Sequence, residues 1–347
     1  MSKNILAVCD LEEAYACNFV EYINQKRSIP FEVRAFTNVE KLTEFCQESR
    51  VEILLISDRA MEESVKSIDV GKLIILSQGT YNPELEQYPS VYKYQSSDAV
   101  IREVMDCYGV DKIVATPLRM NKRKTEIIGI YSPVGRTAKT SFALTLGQIL
   151  ARERAVLYLN LEEYSGFEQL LDCRYERTLG DLIYYIRKGS ANLFYKIRGM
   201  VQNIDNLDYL PPTLSPMDIQ NTTYEEWMIL IEELIKNSNY ETIILDFGDG
   251  VVDLYALLNE CTKVYMPIRN DVVSVSKVQH FEHLLEMWNY EAVVKRLKKI
   301  KLPYHHVQKR GKAYIDELVW SEMGDFVKEL IRQNKMPEYQ ERDDGII

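Results

Sequence analysis

Cysteine pairs are missing from this chain. Its six cysteines (Cys9, Cys17, Cys46, Cys107, Cys173 and Cys261) are scattered with no CxxC spacing. That excludes a zinc ribbon or dithiol redox motif and leaves the thiols as small hydrophobes suited to a reducing compartment. Histidine is equally scarce. His280 and His283 lie on neighbouring turns and His305 and His306 are adjacent, with no cysteine or carboxylate at matching spacing, so no zinc site is expected. Basic excess is absent too: the formal net charge of -10 argues against a nucleic-acid coat as the main role. No apolar run approaches the roughly 18 residues of a membrane span. In MSKNILAVCDLEEAY acids follow directly on a short apolar run, which suits neither a signal peptide nor an anchor and points to the cytoplasm. What is present is ordinary globular material, 347 residues and 46% hydrophobic, enough for two cores.

The first part of the chain alternates. Strand-like ILAVC, FEVRAF, VEILLIS, KLIILS and SVYKY are separated by helix-like stretches, of which SDAVIREVMDCYG is the last, with Ser97 or Asp98 as its expected cap. Alternation of this kind predicts a parallel, doubly wound sheet. Ligands of such sheets lie at the carboxyl ends of the strands, where Asp10, Asp58, Ser77 and Lys93 fall. The span from Asp58 to KLIILS is too short for a full helix and its loops. The polar, basic TPLRMNKRKT that follows reads as a linker.

A second alternation opens with IIGIYSPVGRTAKTSFALTLG, read as strand, phosphate loop and helix. A helix start offers unpaired N–H groups and a positive dipole end, so Lys139 and Thr140 are placed to complete a phosphate cradle. The Walker pattern asks for glycine at 133 and 138, where this chain has Pro133 and Ala138. AVLYLNLEE then makes a strand, TYEEWMILIEELIKNS an amphipathic helix, and ETIILDFGDG a strand ending at Asp246. That aspartate is placed as a Walker B carboxylate for Mg²⁺, and Gly250 would let backbone approach a terminal phosphate. DFG without HRD or GxGxxG does not make a kinase. The basic stretch from Lys295 to Lys312 is read as a solvated face near a subunit contact, with DNA or acidic lipid as the alternative.

The four residues Asp10, Asp58, Ser77 and Lys93 resemble by position the pocket of bacterial response-regulator receivers, with Cys9 at one of the usual acids and Tyr94 where proline is usual. Two readings stay open, a working phospho-acceptor at Asp58 or a receiver kept as an interaction module. The second half resembles the MinD/ParA class of P-loop ATPases, and the two together resemble TadZ/CpaE-type pilus-assembly proteins. The resemblance implies a receiver-like, flavodoxin-like α/β domain at 1–115, a linker at 116–125, a P-loop domain with a mostly parallel sheet at 126–335 and an unstructured tail at 336–347. It further implies ATP and Mg²⁺, a homodimer, and recruitment to the cell pole or the inner membrane face through pilus or secretion components. Carried over by position, Lys139 contacts the β- and γ-phosphates, and Thr140 and Asp246 serve the Mg²⁺. Gly135, Arg136, Thr137, Ala138 and Ser141 line the phosphates, and Gly250 senses the last one. The family's early lysine, which reaches the partner's nucleotide, is Val134 here, so nucleotide binding is expected to outlast hydrolysis. An actively cycling ATPase on DNA or membrane, and a regulator driven by phosphorylation of Asp58, are the alternatives.

Overall fold

The computed structural model describes residues 4–25, 31–79, 82–111, 125–190, 193–304, 307 and 309–335. The expected linker, save Thr125, the expected tail, and His305 and His306 lie outside the described residues. In chain order the first array is β1 (Ile5–Cys9), α1 (Glu13–Gln25), β2 (Glu32–Phe36), α2 (Val39–Glu48), β3 (Val51–Ser57), α3 (Glu63–Lys66), β4 (Lys72–Ser77), β5 (Ser90–Tyr92) and α4 (Ser97–Asp111). The strands pair in the order β2-β1-β3-β4-β5, all parallel. This is the flavodoxin-like order. β3, VEILLIS, is buried along its whole length because helices cover both faces of a parallel sheet, which is why it reads as an unbroken apolar run.

Two crossovers of this array are stunted, of which the sequence reading expected the one after Asp58. Only a 3₁₀ turn at Asp58–Ala60 and the four-residue α3 link β3 to β4, and a 3₁₀ turn at Pro83–Leu85 precedes β5. The cap of α4 is Ser96 rather than Ser97 or Asp98: its hydroxyl accepts the amide of Ala99 at 3.2 Å. Ser97 is already the first helical residue, so the capping hydroxyl has to come from one position earlier.

The second array runs β6 (Glu126–Ile130), α5 (Lys139–Ala151), β7 (Val156–Leu161), α6 (Phe167–Leu171), α7 (Leu179–Arg187), α8 (Leu193–Met200), β8 (Gln202–Ile204) and β9 (Leu207–Leu210). It continues through α9 (Pro216–Gln220), α10 (Tyr224–Asn237), β10 (Thr242–Phe247), α11 (Leu254–Glu260), β11 (Lys263–Pro267) and α12 (Val272–Met287). It closes with α13 (Glu291–Arg296), β12 (Leu297–Ile300), α14 (Lys312–Val319) and α15 (Glu322–Lys335). The sheet order is β12-β11-β6-β10-β7-β9-β8, parallel except for the β8–β9 pair. β8 and β12 are additions to the sequence reading. LKKI at 297–300 forms an edge strand, so part of the basic stretch protects an open sheet edge with lysines.

α5 is apolar nearly all round because it is covered on both sides. Phe142, Leu144 and Leu146 share one core with Ile130 and Ile244 of the sheet and with Ile315, Met323 and Val327 of α14 and α15. α10 buries Trp227, Leu230, Ile231 and Leu234, the face its spacing predicts. The two arrays meet where α4 packs on α8: Phe194 and Tyr195 enter the core formed by Val100, Val104 and Tyr108, and the Tyr108 and Tyr195 rings meet edge to face at 4.6 Å. Among the described residues no helix is long and apolar enough to cross a membrane.

Candidate functional site

The loop from Tyr131 to Ala138 is pinned before it reaches α5. Ser132 donates its hydroxyl to the Pro267 carbonyl at 2.7 Å and accepts the Val134 amide at 3.2 Å, tying the loop to the end of β11. Val134 turns into the main core of its own array and is 7% exposed. Two residues then adopt left-handed backbone, Arg136 at φ 59° and Ala138 at φ 60°. A left-handed non-glycine residue is disfavoured by roughly 1–2 kcal/mol, and such strain persists only where its surroundings over-determine it. Gly135, in contrast, is free of positive φ, and an added Cβ there would meet nothing within 4 Å. The loop therefore keeps a glycine-demanding backbone at two positions whose side chains are not glycine.

Lys139 opens α5 and its ammonium is almost enclosed. It bonds the Phe247 carbonyl, lies 2.9 Å from Glu162 Oε1 and 3.8 Å from Asp246 Oδ1. Burial works against its charge, but Asp246 and Glu162 outweigh it and the pKa goes up. Thr140 donates to Glu162 Oε2 at 3.1 Å. One carboxylate, Glu162, thus bridges the two residues expected to meet phosphate and Mg²⁺.

Asp246 is fully buried, and burial pushes its carboxyl up to about 6 even though Lys139 pulls the other way. Its Oδ2 accepts the Tyr158 hydroxyl at 2.9 Å, and Asn160 donates to the same hydroxyl at 2.9 Å. Asp246 Oδ1 is buried with no hydrogen-bond partner, an acceptor left open toward the loop. Tyr158 was not singled out from the sequence; its position two residues before Asn160 on the neighbouring strand was the available signal. Tyr314 was missed as well. Its hydroxyl meets Ser141 Oγ at 2.9 Å, from a helix 173 positions away.

Lys139, Thr140, Ser141 and Glu162 border a cavity of about 380 Å³, within the range of small-ligand sites, while Asp246 lies behind Lys139 and outside the lining. Its walls include Gly135, Arg136, Thr137, Ala138, Lys139, Thr140 and Ser141, with Glu162, Glu163, Tyr164, Gly248 and Asp249 opposite. Gly250 lies outside that lining. A Cβ on it would come within 2.4 Å of Glu163 Oε1, on a half-exposed side chain that can move aside. Among the described residues no three His, Cys, Asp or Glu are grouped to hold a metal by themselves. Thr140 and the open oxygen of Asp246 fit Mg²⁺ in the manner usual for that ion, with few protein oxygens and the remainder from phosphate and water.

In the first array Asp10, Asp58, Ser77 and Lys93 do sit together at the carboxyl ends of β1, β3, β4 and β5. Their pairing is selective. Lys93 is fully buried, 2.8 Å from Asp10 Oδ2 and 3.1 Å from Glu12 Oε1, and stands 4.4 Å from the centre of the Tyr15 ring. The contact with Asp10 pairs charges without hydrogen-bond alignment. Asp58 instead accepts from Ser57 Oγ and the Gln78 amide, both at 3.4 Å, and Ser77 accepts the Gly79 amide at 3.0 Å. Burial pushes the Cys9 thiol up to about 12, with Asp10 adding to the effect, so it stays a neutral core group.

A strand, a pinned loop and a helix opened by lysine, facing a buried aspartate on the adjacent strand, define a P-loop-type α/β unit. No family model matches the chain, and no curated protein matches it. Among solved structures it is similar to a ParA family ATPase from Chlorobium tepidum TLS, at 18% identity over 59% of this chain and 96% of that one, with a TM-score of 0.48. It is also similar to a cobyrinic acid a,c-diamide synthase from Mycobacterium smegmatis with bound ATP analog and magnesium, at 15% identity over 61% and 96% of the two chains and a TM-score of 0.44. A plasmid partition protein from Borrelia burgdorferi gives 16% identity, 61% and 100% coverage and a TM-score of 0.40.

Proposed function

We propose that the chain is an ATP-binding protein of MinD/ParA type that acts as a nucleotide-stabilised dimeric localisation or scaffold factor in Tad (Flp) pilus assembly, as in TadZ/CpaE-type proteins, with weak or absent hydrolysis. One observation carries the nucleotide reading: Lys139 and Thr140 at the start of α5 stand over the open, buried oxygen of Asp246, beneath a cavity of about 380 Å³. In this reading Lys139 holds the β- and γ-phosphates, the backbone from Gly135 to Ser141 wraps them, and Thr140 and Asp246 serve the Mg²⁺. That ion supplies charge neutralisation between phosphates when bound. Weak turnover follows from Val134. The residue standing where the related ATPases place a partner-reaching lysine is buried in its own core, and loss of a charge stabiliser of that kind costs about 10³-fold or more.

The domain limits 1–115, 116–125 and 126–335 and recruitment from the cytoplasm to a cell pole or inner membrane face belong to the same proposal. Control through phosphorylation of Asp58 is the less favoured reading, since Lys93 is engaged by Asp10 and Glu12. Mg·ATP at a hundredfold excess over its Kd should raise the Tm by about 3–5 °C, and Lys139→Ala should abolish the rise. No shift with any purine nucleotide would overturn the proposal. Size-exclusion with light scattering, run with and without nucleotide, reads the dimer. Phosphate release well above the Lys139→Ala background would replace the scaffold with a cycling ATPase.

A further inference from the structure

A second cleft, of about 350 Å³, lies at the seam of the two arrays, between α4 and the segment joining α6 to α7. It is lined by Arg102 of α4 and by Arg174 and Arg177 of that segment, with Gln95 adding an amide. Arg102 Nε and Gln95 Nε2 are buried without a hydrogen-bond partner. Among the described residues neither Arg102 nor Arg174 has a carboxylate at ion-pair distance. Two carboxylates, Glu103 and Glu176, also border the cleft, both exposed, where solvent and salt screen their charge.

Arginines brought from both arrays to one concave surface have a recognisable chemistry. A guanidinium is always charged and presents a planar fork of donors that matches phosphate oxygens two at a time. Like charges on one surface repel, and a bound anion would relieve the repulsion between Arg102 and Arg174. The volume accommodates a small molecule but not a peptide segment. The cleft shares no lining residue with the cavity over Lys139.

We propose that this seam cleft binds a small phosphate-bearing anion of diphosphate size, held by Arg102 and Arg174, and that the ligand bridges the two arrays. The full chain carrying Lys139→Ala, which silences the loop cavity, is titrated with inorganic pyrophosphate by calorimetry. One equivalent should bind, and the affinity should fall steeply as salt rises from about 50 to 200 mM, as multiple phosphate contacts require. Adding Arg102→Gln or, on the exposed segment, Arg174→Gln should weaken binding at least tenfold. The same two substitutions in a chain that retains Lys139 should leave its Mg·ATP thermal shift in place, which separates this site from the loop cavity. Absence of binding to the Lys139→Ala chain, or binding indifferent to both arginine substitutions, would overturn the proposal.

Discussion

Ala138 carries the sharpest conflict between side chain and backbone in the loop. It caps α5 in the left-handed region at φ 60° with no side-chain bond to offer the helix amides. Glycine is better than alanine on both counts, though it costs more to order from the unfolded chain. Ala138→Gly should therefore stabilise the free protein by up to about 1 kcal/mol in urea unfolding, against the usual penalty for glycine near a helix. Glu162 makes the second residue-scale prediction. Its carboxylate occupies both Lys139 and Thr140, so an incoming phosphate must displace it against like charge. Glu162→Gln should tighten ADP binding by about 3–10-fold, roughly 0.7–1.4 kcal/mol, measured by calorimetry. An unchanged or weaker affinity would mean that Glu162 assists the ligand rather than excluding it. Buried tyrosines recur here as apolar bodies with one polar end: Tyr158 on Asp246, Tyr314 on Ser141, and Tyr240, which donates to Asp208 at 2.9 Å and accepts from Arg198 at 2.8 Å. That is a physical use for a residue type of which the chain has 23.

At the scale of elements, α5 is held from behind by α14 and α15. Met323 is fully buried against this helix layer, so its truncation leaves a cavity under the helix that Lys139 begins. Met323→Ala should cost about 2–5 kcal/mol by chemical denaturation. A loss below 1 kcal/mol would show that α15 is only loosely seated. The same packing explains why α15 forms a helix despite its charged sequence: Met323, Val327 and Leu330 repeat at helical spacing on one face. β12 has the opposite logic. Lys298 and Lys299 leave too little apolar signal for a strand, yet pairing with β11 from Leu297 to Ile300 requires only backbone.

For the whole molecule the decisive contact is α4 on α8. Tyr195 belongs to the second array by sequence and to the core of the first by packing, where its ring meets Tyr108 at 4.6 Å and 84°. Tyr108 in turn donates to Glu52 at 2.5 Å, so the seam reaches β3 at the centre of the first sheet. The two arrays should therefore unfold together. Tyr195→Ala should lower the Tm and split the calorimetric transition in two, with a loss of about 3–5 kcal/mol from the coupled unit. A single transition at a merely lower temperature would mean that other contacts carry the coupling.

Alternating apolar runs were enough to read one parallel and one mostly parallel sheet, and VEILLIS and TIILD read as strands; the structure places both centrally, with both faces buried. The order of loop, helix start and strand end led to the expectation that Lys139, Thr140 and Asp246 serve one site, and the fold brings Lys139 within 3.8 Å of Asp246. Short partners were illegible: β8 and β12 pair through backbone, which leaves little trace in side-chain pattern. So were contacts between distant residues. Only the tertiary structure decided that Glu162 meets Lys139 and Thr140, that Tyr158 bonds Asp246 and Tyr314 bonds Ser141, that Lys93 turns to Asp10 and Glu12, and that Arg102 and Arg174 share a cleft. Local sequence specifies backbone periodicity, whereas the partner of a buried charge is set by which strands and helices the fold brings within a few ångströms.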